Sequence, residues 1–347
     1  NIYQNNFFNF NFSSSGNNDL KETNKLKSLI NNNLNIESID YFTELGLKNN
    51  LNIYLKNLNT VGKNVENFKS SPQIDLMSII DLKSSLPLVK YSDETINTIT
   101  PKISFRFNPG DMNDASNEDR KLDVNNIFDI NRLALSDTFE DGKSLTLGLD
   151  YKKESLENIN NYFEVKLAGV LRDIKQEGVP LNSGINQKIS NLFGTVTYAL
   201  SEKINLDYNF SVDNDLKTFE KNAIGVGFNF NNINTKFNFT EEDGKIGDTN
   251  VLENATTINF NEDNFITFST RRNRKINFTE YYDLVYEYKN DCLVAGIKYK
   301  RSYYQDRDLK PKEDLLLSVT FFPLSQYEQK IDENAYRGDK SIFNILD

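Results

Sequence analysis

In "INLDYNFSVD", residues 204–213, apolar and polar positions alternate without a break. Ile204, Leu206, Tyr208, Phe210 and Val212 fall on one face; Asn205, Asp207, Asn209, Ser211 and Asp213 fall on the other. A period of two predicts a β-strand with one apolar face. "AIGVGFNF" at 223–230, "INTKFNF" at 233–239 and "LVAGIKYK" at 293–300 repeat the pattern. Leu293, Ala295, Ile297 and Tyr299 share a face in the last of these.

The connections between such segments are of two kinds. Tight polar turns recur at 201–203, 231–232, 261–264 and 289–291. Longer connections alternate with them, at 173–189, 213–222, 241–250, 271–277 and 304–311. Short turns at one end and long loops at the other are the layout of a transmembrane antiparallel β-barrel, with the short turns on the periplasmic side. Carried back along the chain, the pattern predicts about 16 strands. They fall near 2–13, 27–42, 46–58, 70–82, 99–107, 143–152, 161–172, 190–200, 203–212, 221–230, 232–240, 251–260, 265–271, 278–288, 292–303 and 312–322. A soluble β-sandwich would also alternate, with its apolar face in a core. The charges on the polar faces of strand after strand, and the persistent asymmetry of the connections, favour the barrel.

Composition narrows the function. The chain has no His, which removes His-based general bases, Ser-His triads and His metal ligands. Its net charge of −10 argues against nucleic acid as a partner. No run of 18 apolar residues exists, and hydropathy windows do not detect membrane strands. The opening "NIYQNNFFNFNF" has no signal-peptide pattern, so the chain reads as a mature product or a piece of a longer one. No cofactor and no enzymatic chemistry are expected.

Four segments are candidates for binding. The longest connection, 108–142, is acidic and reads either as a hard-cation site or, in preference, as a solvated loop. "EEDGKIGDTN" at 241–250 poses the same choice against a Gly-rich turn. The Gly225-x-Gly227 pair lies inside a strand and opens no helix, so it is not a dinucleotide fingerprint. "TRRNRK" at 270–275 is either a site for phosphorylated lipid headgroups or a solvated hairpin tip. Cys292 is the single cysteine. It follows the 289–291 turn, and the alternation points it toward the lumen edge. A lone cysteine in an oxidising compartment reads as half of a bridge to another chain segment, or as an unpaired residue.

"TEYYDLVYEYKNDCLVAGIKYKRSYYQDRDLKPKEDLLLSVTFFPL" at 279–324 resembles the C-terminal end of the LptD family of outer-membrane lipopolysaccharide-assembly proteins, in its alphaproteobacterial form. "LPLVK" at 86–90, "TPKISFRFNPGDMND" and "NIFDINRLALSDTFEDGKSLTLGLDY", ending at Tyr151, are similar to its mid-barrel segment. The resemblance implies a barrel of about 26 strands, of which the chain would hold the C-terminal part. It implies a preceding jellyroll domain that receives lipopolysaccharide from a periplasmic bridge protein, and an LptE-like lipoprotein plug in the lumen. It further implies that lipid A slides between the first and last strands into outer-membrane lipid while the saccharide passes through the lumen. Cys292 matches the C-terminal cysteine position of the family, which ties its N-terminal region to the barrel by disulfides. Better-known members carry two adjacent cysteines there, so one bridge at most is implied.

The expected assignment is a transporter in the Gram-negative outer membrane. Residues 1–322 form part of the barrel, and a polar tail, 323–347, lies in the periplasm. The expected seam strand is Asp314–Phe322, with Leu315, Leu317, Val319 and Phe321 on its apolar face and Ser318 and Thr320 opposite. A 16-strand porin and a soluble or surface β-sheet binding protein are the alternatives.

Overall fold

A computed structural model describes residues 3–21, 23–65, 69–303, 312–321 and 325–331. The first strands are β1 (Tyr3–Gln4), β2 (Phe8–Lys21), β3 (Lys25–Ser38), β4 (Tyr41–Phe42), β5 (Lys48–Lys63), β6 (Gln73–Ser85), β7 (Leu88–Tyr91) and β8 (Thr95–Asn108). There follow β9 (Gly142–Ser155), β10 (Tyr162–Arg172), β11 (Leu192–Ser201), β12 (Ile204–Val212), β13 (Phe219–Phe230) and β14 (Ile233–Glu242). The last are β15 (Thr249–Asn259), β16 (Asn264–Asn273), β17 (Phe278–Lys289), β18 (Leu293–Ser302), β19 (Lys312–Phe321) and β20 (Ser325–Ile331). All 20 belong to one antiparallel meander. Among the described residues no ladder joins β20 back to β1 or β2, and the one helical element is a 3-10 turn at Leu181–Ser183.

Each expected segment overlaps a long strand, and the register confirms the alternation. Leu206 sits opposite Val226, and Val226 opposite Phe237. Residues in register share a face, so one side of the wall carries an apolar belt. Ile103, Phe105, Leu147, Leu149, Ile224, Phe237, Leu284, Ile297 and Leu317 all expose part of their side chains there. In water such a surface would be an unexplained apolar patch; in a bilayer it is what a barrel presents to lipid.

The early strands depart from the expected bounds. β2 begins at Phe8 and runs to Lys21, and a short hairpin at 88–95 adds β7. The outward face changes character here. Phe8, Phe10 and Phe12 give way to Ser14 and Asn18, met across the sheet by Asn32 and Ser28. Ser14 Oγ donates to Asn32 Oδ1 at 2.7 Å, Asn32 Nδ2 to Asn57 Oδ1 at 3.1 Å, and Asn59 Nδ2 to the same Asn57 oxygen at 2.6 Å. This Asn/Ser ladder satisfies its own polar groups, but it carries no apolar period, so it hid the strand ends.

The tail also departs from expectation. β20 pairs along β19, from Phe321 opposite Ser325 to Leu315 opposite Ile331. The strand expected to end the sheet therefore has a neighbour on both sides, and among the described residues the terminal edge is Ser325–Ile331. A free strand edge is a template for a further strand, and "SQYEQKI" is too polar to announce itself by alternation. Residues 332–347 of the expected tail lie outside the described residues.

Candidate lumen, plug and wall

The face opposite the apolar belt is polar, and the connection 109–141 folds onto it. Neither a cation loop nor a solvated loop describes this segment. Leu122, Val124, Ile127, Leu133 and Leu135 are buried with Val179 and Ile185 of the next long connection, against Ala168, Val170 and Phe193 of the wall. The two connections are tied together, with Ala115 N donating to Gly178 O at 2.9 Å. Together they form a plug with its own small core, packed on the inward face of β8–β11.

Wall residues are shaped to receive it. Gly148 faces inward, and a Cβ there would lie 2.7 Å from the ring of Phe128. Tyr54 of β5 packs edge-on against Phe139 at 5.2 Å between centroids. Lys56 sits 4.5 Å over the same ring and donates to Ser136 O at 2.7 Å. Farther along, Lys121 Nζ meets Glu242 Oε2 at 2.6 Å, which ties the plug to the end of β14.

A second attachment of the plug is electrostatic. Glu140, 2 % exposed, is met by three guanidiniums. Arg106 of β8 reaches Glu140 Oε2 at 2.7 Å, and Arg132 of the plug donates through Nε to the same oxygen at 2.7 Å. Arg172, at the end of β10, pairs with Oε1. Arg132 also donates to Thr146 Oγ1 at 3.0 Å and Ser144 Oγ at 3.1 Å on β9. Arg106 Nε donates to Ile130 O at 3.1 Å. Buried charges persist when they are paired and hydrogen-bonded. Burial pulls the Arg132 guanidinium down to about 10, so it keeps its charge at neutral pH. Burial likewise raises Asp129 and Asp141 above the ordinary carboxylate range. Arg132 and Glu140 both lie in the segment ending at Tyr151 that carries the family resemblance, whereas Arg172 lies outside the quoted segments.

Beside the plug tip lies a polar crevice of about 440 Å³, with Lys48, Lys83 and Lys102 near Val124 and Phe128. These lysines pair with Asp40, Asp81 and Asp150 respectively. Among the described residues no group of His, Cys, Asp and Glu is placed to hold a metal. In 241–250 three of the four acidic side chains are engaged, Glu241 by Asn250, Glu242 by Lys121 and Asp248 by Lys275, and Asp243 is exposed. Gly225 and Gly227 face inward against Asp207, Asn238 and Asn205, as wall residues.

Cys292 is a free, exposed thiol in the turn between β17 and β18. Its backbone N–H donates to Asn290 Oδ1 at 3.0 Å, as does Leu293 N at 2.8 Å, so the Asn side chain shapes the turn. Leu315, Leu317, Val319 and Phe321 of β19 continue the outward row of Tyr299, Ile297, Ala295 and Leu293. Ser318 and Thr320 lie on the inward side, opposite Gly296 and Val294.

The model of the family described as LptD, LPS transport system D, matches residues 3–263. No curated protein matches the chain. Similar solved structures include a mutant of the Rh. blastica porin, at 12% identity and a TM-score of 0.36, covering 81% of this chain and 93% of that one. A mutant of the ferric enterobactin receptor PfeA from Pseudomonas aeruginosa covers 90% of this chain and 59% of that one, at 11% identity and a TM-score of 0.43. The ferric-catecholate import receptor Fiu from E. coli K12 covers 88% and 57%, at 10% identity and a TM-score of 0.41.

Proposed function

Because the chain belongs to the LptD family of LPS transport proteins, which are outer-membrane β-barrels, we propose that it is the part of a lipopolysaccharide translocon that forms wall, lumen and seam. The observation that carries this is the family match over 3–263, on a wall with an apolar outer belt and a polar, plugged inner face. The saccharide of the lipid travels along the polar face, where water and side chains solvate it. Its acyl chains leave through the terminal edge into the outer leaflet, without crossing the aqueous phase. The tight turns, 202–203, 231–232, 260–263 and 290–292, lie in the periplasm, and the plug-forming connections enter from the cell surface.

Further proposals follow from the family's architecture. The barrel is completed by strands outside this chain, and a periplasmic domain hands over the lipid. An LptE-like lipoprotein occupies the lumen beside the plug. Cys292, exposed at a periplasmic turn, is bridged to a cysteine outside this chain. The seam includes β19, with Leu315, Leu317, Val319 and Phe321 toward lipid and Ser318 and Thr320 inward, and it opens at the β20 edge.

The test is a lock at that edge. A cysteine at Tyr327 paired with one on the first strand of the full-length barrel is oxidised in cells that depend on the protein. Lipopolysaccharide should stop reaching the surface while barrel assembly is unchanged, and reduction should restore it. Normal surface lipopolysaccharide with the lock formed would refute the reading. A general porin, whose solutes pass through the lumen, would tolerate the lock; the plug that fills the lumen beside β8–β11 counts against that alternative.

A further inference from the structure

The surface-side end of β14–β17 carries an unexplained positive patch on the outer wall. Outward alternation along β16 runs Ile266, Phe268, Thr270 and Arg272, and Arg272 stands opposite Leu252, itself opposite Phe239. Arg272 and Arg274 are exposed. Arg274 lies over the Phe239 ring, 5.2 Å from its centroid. Arg272 donates to Asn277 Oδ1. Neither has a carboxylate partner among the described residues, in a chain of net charge −10. The basic neighbours differ: Arg271 pairs with Glu280 at 3.0 Å, and Lys275 pairs with Asp248. Glu241, the carboxylate nearest in register, accepts from Asn250 Nδ2 at 3.0 Å. Just below, Phe268 and Tyr282 stack at 6.2 Å and Tyr303 meets Tyr282 edge-on at 6.0 Å, an aromatic group of the kind that marks a membrane interface.

We infer that Arg272 and Arg274 form a binding site for the phosphate group of an outer-leaflet glycolipid, with the acyl chains lying down the belt over Leu252, Phe268 and Phe237. Guanidiniums bind phosphate through paired, charge-assisted hydrogen bonds. Here they stand where the apolar belt ends, at the depth where a headgroup phosphate sits. Phe239 holds one of them flat against the wall and limits the freedom lost on binding. The site rests on the topology proposed above, because the same arginines at the periplasmic end would face a different leaflet. It lies several strands from the β20 edge, so it holds lipid already delivered rather than lipid in transit.

The test uses full-length protein purified in mild detergent, with bound lipid counted by native mass spectrometry. The probes are bisphosphorylated lipid A, its dephosphorylated form and inorganic phosphate. Wild type should retain bisphosphorylated lipid A about tenfold more tightly than the R272Q/R274Q double variant, a difference of about 1.4 kcal/mol. K275Q should match wild type, and dephosphorylated lipid A should bind wild type and double variant alike. Equal retention by wild type and double variant would overturn the site. So would inorganic phosphate that displaces lipid A completely at millimolar concentration, because the acyl contacts would then contribute nothing. Labelling of an Ile276→Cys variant, at an exposed position in the turn, on intact cells separates the premises. A surface-accessible thiol with no lipid difference refutes the site alone, and a shielded thiol refutes the topology and the site together.

Discussion

Neutralising Glu140 should release the plug. Three guanidiniums converge on this carboxylate, two of them at 2.7 Å, and among the described residues no other acidic side chain forms an ion pair with Arg106, Arg132 or Arg172. One such pair, with charge centres about 4 Å apart at an effective dielectric constant of about 20, is worth about 4 kcal/mol. Repulsion among the three cations and the desolvation of all four groups cancel much of the total. The net loss on removing one partner from a buried network is then about 3–5 kcal/mol. In Glu140→Gln the side chain keeps its shape while three cations are left facing one another. Strand pairing in β8–β10 does not depend on Glu140, so the loss falls on the plug. Amide exchange across 115–135 should accelerate by about two to four orders of magnitude, at about 1.4 kcal/mol per factor of ten. Exchange within β13–β18 should not change. Glu118→Gln is the control, since Glu118 is exposed and meets Arg120 only at 3.6 Å. Plug protection within threefold of wild type in Glu140→Gln, measured by hydrogen exchange and mass spectrometry, would show that the apolar core and not the ion cluster holds the plug.

Gly148→Ala should push Phe128 off the wall and destabilise the plug by about 1–3 kcal/mol, because its Cβ would lie 2.7 Å from the ring; combining it with Phe128→Leu should recover most of the loss in the same exchange assay. Phe237→Arg should cost about 2–4 kcal/mol in bilayer folding while Asn238→Arg on the inward face costs far less, and equal costs would refute the assignment of faces. Burial raises Asp129 and Asp141, so their charged forms oppose the folded plug: its protection should increase as pH falls from neutrality toward the ordinary carboxylate range near 4, and Asp141→Asn should flatten that rise. If Cys292 is bridged, non-reducing gels of the full-length protein should show a mobility change on reduction that Cys292→Ser abolishes, and a free thiol in membrane-assembled protein would exclude the bridge.

The strands from β9 to β19 were legible because most of them carry an outward row dominated by Leu, Ile, Phe, Tyr or Val against a more polar inward row. A period of two is then enforced by the environment on both sides. At β2 and β3 the outward row changes to Ser14, Asn18, Ser28 and Asn32, and the two faces become chemically alike. Pairing there is set by side-chain hydrogen bonds, which leave no period to read. The plug failed to register for another reason. Its apolar residues, Leu122, Val124, Ile127, Leu133 and Leu135, are spaced for an irregular chain that fills a concavity. Between them lie Asp123 and Asp129, whose charges suggest solvent. Only the pairing of an acidic residue near one end of the loop with basic residues before, within and after it, Glu140 with Arg106, Arg132 and Arg172, distinguishes a latched loop from a free one. That relation spans three separate segments.

Plug and wall also divide the lumen unequally. Beside β8–β11 the inward face is occupied by the plug, and the wall there is Ser104, Arg106, Thr146, Ala168, Val170 and Phe193, all buried. From β13 onward the inward face carries Ala223, Gly225, Gly227, Ala255 and Gly296, small residues interleaved with Lys236, Asp283 and Lys298. Small side chains on a lumen wall leave room, and charged ones keep that room wet. The half of the wall that this plug leaves uncovered is therefore the half that runs up to β19 and β20. Under the function proposed above, a saccharide moving along this face would reach the terminal edge without displacing the plug, so a loop pinned by four buried charges is compatible with that proposal.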